Sequence, residues 1–273
     1  MVRLVSLIIF SLATILLATK SSLCHGKTTL NLVDHGITFS IFPLRLKSGL
    51  GGHYIPEISC SSWRLAVEAH NIIDWKTIPQ ECEGYVGNYV LGKQYREDSK
   101  AVTEEAYKYA QSLNLVGDGK DIWVFDIDET SLSNLPYYAQ HGFGVEPFNE
   151  TSFSEWADHG IAPPLPESRT LYKNLLNLGI KVVFLTGRSE SLRDSTLKNL
   201  KDAGYNTFEA LILRNSTEYN GKTGVTYKSS ERKKLEEKGY RIVGNIGDQW
   251  SDILGTNTGN RTFKLPDPMY YIS

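Results

Sequence analysis

The sequence predicts an α/β protein in which helices cover both faces of a parallel sheet. Three observations predict this fold: apolar runs rich in branched and aromatic residues recur after residue 121, helical segments lie between them, and glycines end these segments. Strands that alternate with helices are joined by crossovers, which produce a parallel sheet. The 273 residues, 41% of them hydrophobic and 22% charged, suffice for one such domain with a small insert.

Five strands and three helices are predicted from residue 121 onward. The strands are DIWVFDID, IKVVFLTG, EALILR, YRIVGNIGD and RTFKLP, at residues 121–128, 180–187, 209–214, 240–248 and 261–266. The helices between them lie at residues 166–179, 189–204 and 229–239. In the first of these helices Leu171, Leu175 and Leu178 share one face, and Gly179 provides a stop. Residues 121–273 are therefore the predicted core domain.

Two further segments accompany this core. Residues 27–120 form a predicted N-terminal extension packed on the core, with Ser62 as the expected cap of one helix and a second helix in SKAVTEEAYKYAQSLNL. Residues 132–166, between the first two strands, form a predicted helical cap insert. Its aromatic residues are Tyr137, Tyr138, Phe143, Phe148, Phe153 and Trp156. Two roles stay open for them: covering a crevice at the strand ends, or packing the insert onto the core.

The first 26 residues indicate a secretory signal peptide. Arg3 precedes an apolar run of 15 residues, Leu4–Ala18, which is shorter than the roughly 20 residues that span a bilayer. A cleaved signal is therefore predicted, with an uncleaved anchor as the alternative. The mature protein is expected in the secretory pathway, and finally in the vacuole or outside the cell.

Cysteines and glycosylation sequences agree with that route. Cys60 and Cys82 lie beyond the signal region, and an oxidising compartment favours a disulfide between them; two unpaired buried thiols are the alternative. The tripeptide N-x-[ST] marks candidate glycosylation sites at Asn149, Asn215 and Asn260.

The formal net charge of −2 provides no electrostatic reason to expect nucleic acid or an anionic membrane surface as a partner. We therefore expect no nucleic acid binding and, once the signal is removed, no stable membrane association. The sequence leaves a homodimer open.

Polar residues follow the predicted strands at their carboxyl ends, the edge at which parallel sheets bind ligands. They are Asp126 at the end of the first strand, Thr186, Gly187 and Arg188 at the end of the second, Asp248 and Asp252 at the end of the fourth, and Lys228 just before the polar helix. Asp128 is expected just past the first strand, where the chain turns, because side chains two apart on a strand share one face only while the strand continues. Neighbouring carboxylates repel one another, and Mg²⁺, which prefers hard oxygen ligands, would relieve that repulsion. Arg188 suits either a phosphate contact or a structural ion pair.

An EF-hand-like calcium loop is an alternative reading of D-x-D-x-T. Such a loop requires Gly at its sixth position and Glu at its twelfth, but these positions hold Ser131 and Tyr137. Chance is the other alternative for so short a pattern. The later T-G-R, isolated lysine and G-D-x-x-x-D, each at a strand end, make the combination specific.

Four segments carry a family resemblance: FDIDETSLSNLPYYAQHGFG, VVFLTGRSE, YKSSERKKLEEKGYRIVGNIGDQWSD and FKLPDPMYYIS. They resemble the plant acid phosphatase and vegetative storage protein family, class B-type acid phosphatases of the haloacid dehalogenase-like superfamily. The resemblance extends from about residue 45 to the C-terminus and is densest after residue 121. It implies a Rossmann-like sheet with a small helical cap.

The resemblance also implies catalytic roles for the first two aspartates. Asp126 matches the nucleophile that becomes an aspartyl phosphate and also contacts the metal. Asp128 matches the general acid and base, and its backbone carbonyl helps to hold the metal.

The remaining matched residues would hold the phosphoryl group and Mg²⁺. Thr186 and Gly187 match the phosphate-binding position, and Lys228 matches the cation that neutralises the phosphoryl oxygens. Asp248 matches a metal ligand, and Asp252 matches a residue that binds the metal or orients the lysine.

The implied activity is Mg²⁺-dependent hydrolysis of small-molecule phosphate monoesters. The alternative is a vegetative storage protein with little or no phosphatase activity, and transfer of the phosphoryl group to another alcohol is a third reading. Some storage members of the family lack the nucleophilic aspartate. Its presence here, together with the other matched residues, favours an enzyme.

Overall fold

A five-stranded sheet forms the centre of the protein. The computed structural model describes residues 59–273, so the predicted signal segment 1–26 and residues 27–58 of the predicted extension lie outside the described residues. The strands are β1 Asp121–Phe125, β2 Lys181–Ser189, β3 Ala210–Arg214, β4 Arg241–Gly247 and β5 Thr262–Lys264. All neighbouring strands are parallel, in the order β3-β2-β1-β4-β5. The predicted α/β fold is therefore confirmed, including its fifth strand.

Helices precede the sheet, connect its strands and form the insert between β1 and β2. They are α1 Cys60–Glu68, α2 Glu83–Val90, α3 Lys93–Gln111, α4 Leu135–Tyr138, α5 Glu150–Asp158, α6 Pro166–Asn177, α7 Arg193–Asp202, α8 Gly224–Glu237 and α9 Trp250–Ile253. Because α4 and α5 lie between β1 and β2, the insert is helical, as predicted. Over residues 59–273 no helix has the length and apolar character needed to cross a membrane.

Both faces of the sheet are buried, which explains why its strands are apolar at consecutive positions. Trp123 and Phe125 of β1 pack in a cluster with residues of α3, α6 and α7. Ile122 and Val124 of the same strand pack in a different cluster, with residues of α8. Successive side chains of a strand point to opposite faces, so helices cover the sheet on both sides.

The strand order reverses at β1. The chain leaves β1 for β2 and β3 on one side, and later places β4 and β5 on the other side. In α/β sheets the crevice outside the carboxyl ends of the strands at such a point is where ligands bind. Asp126 occupies this position, and its backbone N donates to Ile246 O over 3.0 Å, which continues the pairing of β1 with β4.

The end of β1 differs from the sequence-based boundary. The strand ends at Phe125 instead of residue 128 because the chain turns immediately afterwards. The amides of residues 130, 131 and 132 all donate to the carbonyl oxygen of Ile127. Asp128 therefore lies in a turn beyond the strand.

The start of α8 also corrects a prediction. The helix begins at Gly224, five residues before the predicted start at residue 229, so Lys228 lies inside the helix instead of before it. Thr223 caps the helix, since its side-chain oxygen accepts a hydrogen bond from Thr226 N over 3.2 Å. The capping threonine could have indicated this start from the sequence, but the predicted helix was placed on the strongly polar run after residue 228.

A third apolar cluster joins the helices before the sheet to the insert. It contains residues of α1, α2, α3 and α4 together with a residue near the C-terminus, among them Trp63, Val86, Tyr95, Tyr137 and Met269. Since these residues are far apart in sequence, the cluster holds three separate segments of the chain together beside the sheet.

A disulfide joins Cys60, the first residue of α1, to Cys82, with 5.4 Å between the Cα atoms. The predicted pairing is therefore present in the structure, and the alternative of two unpaired thiols is wrong. The predicted cap at Ser62 is also wrong, because α1 already begins at Cys60 and Ser59 occupies the N-cap position without a side-chain capping bond.

We expect the double substitution Cys60→Ser/Cys82→Ser to lower the free energy of unfolding by about 3 kcal/mol. The reason is that the disulfide closes a loop between residues 22 positions apart, which restricts the unfolded chain. Urea denaturation followed by tryptophan fluorescence measures the change. Wild-type protein in reductant is the control and should match the double variant. Identical midpoints for oxidised wild type and the variant would contradict the prediction.

Candidate active site

Three buried side chains meet where β1, α8 and α9 approach one another. The ammonium of Lys228 contacts a carboxylate oxygen of Asp126 and a carboxylate oxygen of Asp252. Each of these side chains is less than one-tenth exposed. Asp126 and Lys228 are 102 residues apart in sequence, and they meet because α8, in the connection from β3 to β4, packs beside the end of β1.

Asp248 lies beside this contact and ties two turns together. Its Oδ1 accepts a hydrogen bond from Thr130 Oγ1 over 2.9 Å, and Thr130 Oγ1 accepts one from Asp248 N over 3.0 Å. Gln249 Nε2 donates to the other carboxylate oxygen over 2.8 Å. One oxygen each from Asp126, Asp248 and Asp252 lie within 4.8 Å of one another.

These three carboxylates fit a divalent cation. Burial raises the pKa of Asp126 and of Asp248 well above the usual range, and the charge of Asp252 raises both further. Burial alone lowers the pKa of Lys228, but the charges of Asp126 and Asp252 outweigh it and leave that pKa raised. The positive charge of Lys228 does not balance the three carboxylates, and a divalent ion held by their hard oxygen atoms would supply the difference.

Asp128 stands apart from these carboxylates. Arg188 binds its carboxylate through Nε, at 3.1 Å from each oxygen, and through Nη2, at 2.7 Å from Oδ1. Asn134 Nδ2 donates a further hydrogen bond of 2.9 Å. Of the two roles open for Arg188, the structure shows the ion pair. The metal contact that the resemblance implies for the backbone carbonyl of Asp128 stays a prediction.

Thr186 and Gly187 lie on the neighbouring strand, β2. Thr186 is fully buried; its Oγ1 accepts a hydrogen bond from Arg188 N over 3.1 Å and lies 3.5 Å from Asp128 Oδ2. Tyr227 OH of α8 donates to Thr186 O over 2.9 Å. Gly187 is exposed on the wall of the cavity described below. The structure thus brings both residues to the site, and their binding of phosphate stays a prediction.

Glu129, to which the sequence assigned no role, stabilises the turn that carries Asp128. Its φ of 50° is the left-handed conformation, which non-glycine residues seldom adopt. Its buried carboxylate accepts hydrogen bonds from Asn134 N, Ser133 Oγ and Tyr95 OH. Burial, with the charge of Asp248, raises the pKa of Glu129 to about 8. This carboxyl group therefore fixes an unfavourable turn from inside the protein.

Arg232 is a second residue that sequence reasoning missed. It is fully buried one turn beyond Lys228 on α8. Its guanidinium donates to the carbonyl oxygens of Asp252 (2.6 Å), Leu254 (2.6 Å) and Thr256 (3.0 Å). Burial lowers the pKa of Arg232 to about 10. Lys228 and Arg232, on one face of α8, therefore hold the side chain and the backbone of Asp252, respectively. Their spacing of four residues, which places two side chains on one face of a helix, was the available indication in the sequence.

The site opens into a cavity of about 590 Å³, a volume suited to a small molecule. Asp126, Asp128, Lys228 and Asp252 contribute to its lining. Its aromatic lining comes from four segments of the chain: the residues before α2, the insert, α8 and the C-terminal residues. It consists of Trp75, Tyr138, Phe148, Phe153, Tyr227, Tyr270 and Tyr271. A ligand in this cavity would have polar contacts at the carboxylates and apolar contacts along much of the wall.

Both arrangements predicted for the aromatic residues of the insert occur. Tyr137, Phe143 and Trp156 belong to the third apolar cluster or pack against it, and they do not line the cavity. Tyr138 and Phe153 also belong to this cluster or pack against it, but they line the cavity as well, together with Phe148. Phe148 is 55% exposed, so its position at the cavity is not explained by core packing.

The three predicted glycosylation sites lie at the surface. Asn149 caps α5, where its Oδ1 accepts a hydrogen bond from Ser152 N over 3.0 Å, and Asn215 Oδ1 accepts one from Thr217 N over 2.9 Å. Asn260 lies just before β5. All three asparagines are exposed, so a glycan could be attached to each without disturbing the core.

Comparison with known proteins identifies relatives along nearly the whole chain. Residues 47–273 match the family described as HAD superfamily, subfamily IIIB (Acid phosphatase). The chain is 48% identical to the Stem 28 kDa glycoprotein of Glycine max, over 97% of this chain and 98% of that protein. It is 51% identical to Acid phosphatase 1 of Solanum lycopersicum, over 79% and 84%. It is 42% identical to Vegetative storage protein 1 of Arabidopsis thaliana, over 96% and 97%.

A solved structure is similar in fold. The class C acid phosphatase from Bacillus anthracis with tungstate bound superimposes with a TM-score of 0.55 at 22% identity, over 70% of this chain and 86% of that chain. At this identity the likeness concerns the fold alone. The match over residues 47–273 and the identity to plant relatives confirm the predicted family: the chain belongs to subfamily IIIB of the HAD superfamily, a family of acid phosphatases and thus of phosphoric monoester hydrolases.

Proposed function

We propose that the protein is a Mg²⁺-dependent phosphomonoesterase that works through an aspartyl phosphate on Asp126, with Asp128 as general acid and base. The observation that carries the proposal is the contact between the buried Asp126 and Lys228 beside a cavity of small-molecule size. A carboxylate and a phosphate dianion repel each other, so a carboxylate nucleophile needs adjacent positive charge. Membership of an acid phosphatase family supports phosphate monoesters as the substrate class.

In the first half-reaction a carboxylate oxygen of Asp126 attacks the phosphorus atom, and the bond between phosphorus and the alcohol oxygen breaks. Asp128 gives a proton to the departing oxygen. Lys228 offsets the negative charge of the phosphoryl oxygens, and Thr186 and Gly187 bind those oxygens from the neighbouring strand.

In the second half-reaction Asp128 takes a proton from a water molecule whose oxygen attacks the same phosphorus atom. The bond to Asp126 breaks and inorganic phosphate leaves. Arg188 and Asn134 hold the carboxylate of Asp128 in one orientation for both transfers. The insert at residues 132–166 acts as a cap that limits the access of water to the cavity.

Asp126, Asp248 and Asp252, with the backbone carbonyl of Asp128, are the groups that would hold Mg²⁺. The three buried carboxylate oxygens within 4.8 Å of one another support this assignment. The ion, when bound, supplies positive charge towards the phosphoryl oxygens. Asp252 also orients Lys228, which it contacts directly.

A storage role is the second candidate function. The observation in its favour is the identity of 42% with a vegetative storage protein over nearly the full length of both chains. A storage role requires no ordered carboxylate–ammonium contact beside a cavity, so the geometry favours catalysis. The two roles are compatible in one protein.

We propose further that the protein enters the secretory pathway, loses residues 1–26 and reaches the vacuole or the extracellular space. The disulfide supports an oxidising compartment. The exposed positions of Asn149, Asn215 and Asn260 and the identity with a stem glycoprotein support glycosylation.

Asp126→Asn is expected to lower the turnover of phenyl phosphate by more than about a thousandfold, because an amide keeps the shape of the side chain but is a far weaker nucleophile. Initial rates measure turnover, and circular dichroism checks the fold. Asp118→Asn is the matched control, because Asp118 forms an exposed ion pair with Arg241 and does not line the cavity. Turnover at the wild-type rate by Asp126→Asn would remove this residue from the nucleophile role.

Removal of divalent ions with EDTA is expected to abolish turnover, and Mg²⁺ is expected to restore it. Asp248→Asn should weaken Mg²⁺ binding at least about tenfold, because one of three clustered carboxylates loses its charge. Isothermal titration calorimetry with MgCl₂ measures this binding independently of activity. Full turnover in EDTA, or equal Mg²⁺ affinity in wild type and variant, would contradict the proposed metal role.

Secretory expression in plant cells is expected to yield a protein that lacks residues 1–26 and carries glycans. Intact mass and N-terminal peptides, recorded before and after enzymatic deglycosylation, measure both properties. Replacement of Asn149, Asn215 and Asn260 by Gln, singly, assigns the glycans to sites. An N-terminus at Met1 together with a mass unchanged by deglycosylation would show that this route is wrong.

A further inference from the structure

The cavity contains two basic side chains that the proposed mechanism does not use, the exposed Lys76 and the half-buried Arg214. Four basic side chains line the cavity: Lys76, Arg188, Arg214 and Lys228. Arg188 and Lys228 are engaged by carboxylates of the site. Within residues 59–273, Arg214 forms no ion pair, and its hydrogen bonds are to the carbonyl oxygens of Tyr219 (3.0 Å) and Lys222 (2.5 Å).

The guanidinium of Arg214 is held in place by hydrogen bonds that use only one of its three nitrogen atoms. Both of its hydrogen bonds use Nη2, so Nε and Nη1 have no acceptor in the described part of the chain. The guanidinium carbon lies 5.6 Å from the ring centre of Tyr227, and Tyr227 OH donates to Thr186 O. The group is thus fixed from two sides, and its charge and remaining N–H groups are available to a ligand.

The position of Arg214 relates it to the proposed nucleophile. Arg214 is the last residue of β3, β3 pairs with β2, and β2 pairs with β1, which ends just before Asp126. Neighbouring strands lie about 4.8 Å apart, so β1 and β3 are about 10 Å apart across the sheet. The register places Phe184 beside both Phe125 and Leu211, so Arg214 lies two residues further along the strand direction than Asp126. Both residues line the same cavity. A small molecule can therefore reach both at once.

We propose that Arg214 forms a second anion-binding subsite, and that the preferred substrates are phosphate monoesters whose alcohol portion carries a second anionic group. The planar guanidinium, with Nε and Nη1 free, matches the two oxygens of a carboxylate or of a second phosphate. This inference rests on the proposed phosphomonoesterase function and adds the substrate class to it. The aromatic wall of the cavity accommodates the portion between the two anions.

The test compares 4-carboxyphenyl phosphate and 1,4-phenylene bisphosphate with 4-carbamoylphenyl phosphate, a neutral analogue of the first. For each of the two probes with a second anionic group, we compare kcat/KM with that of the neutral probe. In the Arg214→Met variant this ratio is expected to fall roughly tenfold relative to wild type. The fall should lie in KM. A ratio taken within one preparation does not depend on the fraction of folded enzyme. Comparing that ratio between variant and wild type removes the effect of the different leaving groups. Arg214→Lys, which keeps the charge, should show a smaller fall.

Arg193→Met is the matched control. Arg193 also donates to β3, at Leu211 O over 3.1 Å, but it is ion-paired with Glu190 and does not line the cavity. This variant should keep the wild-type ratio. A fall for one anionic probe alone identifies that anion as the ligand of Arg214.

Four results would overturn the inference. One is an equal loss for charged and neutral probes in Arg214→Met, which would assign Arg214 to holding residues 219–222. Another is an equal fall of the ratio in Arg193→Met, which would assign the effect to general charge. If wild type hydrolysed none of the probes, the phosphomonoesterase proposal would fail and the subsite with it. Hydrolysis of all probes with an unchanged ratio would refute the subsite alone.

Discussion

The contact of one buried ammonium with two buried carboxylates is the constraint on which the rest of the site depends. Charges removed from water are tolerated only when they are paired and hydrogen-bonded, and an unpaired partner is strongly destabilising. Lys228 lies on α8, Asp252 lies on α9, and Asp126 directly follows β1. The sheet, α8 and α9 must therefore be positioned together, because a displacement of any one would leave a buried charge without its partner.

The surrounding polar residues make that arrangement rigid. Thr130 links the turn after β1 to the turn after β4, and Arg232 binds the backbone beyond Asp252. Glu129, itself in the left-handed conformation, supports the turn directly after Asp128 from inside the protein. Each of these groups is buried and hydrogen-bonded. Thr130 and Arg232 contact the proposed metal ligands Asp248 and Asp252, and Glu129 is adjacent to Asp128 in the chain. Preorganisation of this kind reduces the rearrangement required when a substrate binds.

Much of the aromatic wall of the cavity beside this rigid edge comes from segments outside the sheet. Trp75 precedes the sheet, Phe148 belongs to the insert, and Tyr271 follows β5. The sheet edge is thus suited to a phosphoryl group, while the surrounding segments contact the remainder of the substrate. This division is consistent with a family in which a common core occurs in proteins named as acid phosphatases and as storage proteins. Substrate choice would depend on the walls, including Arg214, more than on the shared core.

The sequence by itself determined the parallel sheet, the residues at its carboxyl edge and the disulfide, because apolar runs, glycine stops and cysteine number are visible locally. Only the tertiary structure decided which groups pair. Arg188 contacts Asp128 across 60 positions, and Arg232 binds carbonyl oxygens about 20 positions away. Arg214 sits in the cavity without a carboxylate partner among residues 59–273. Partner choice depends on distances between segments that meet only after folding, and no local pattern records those distances.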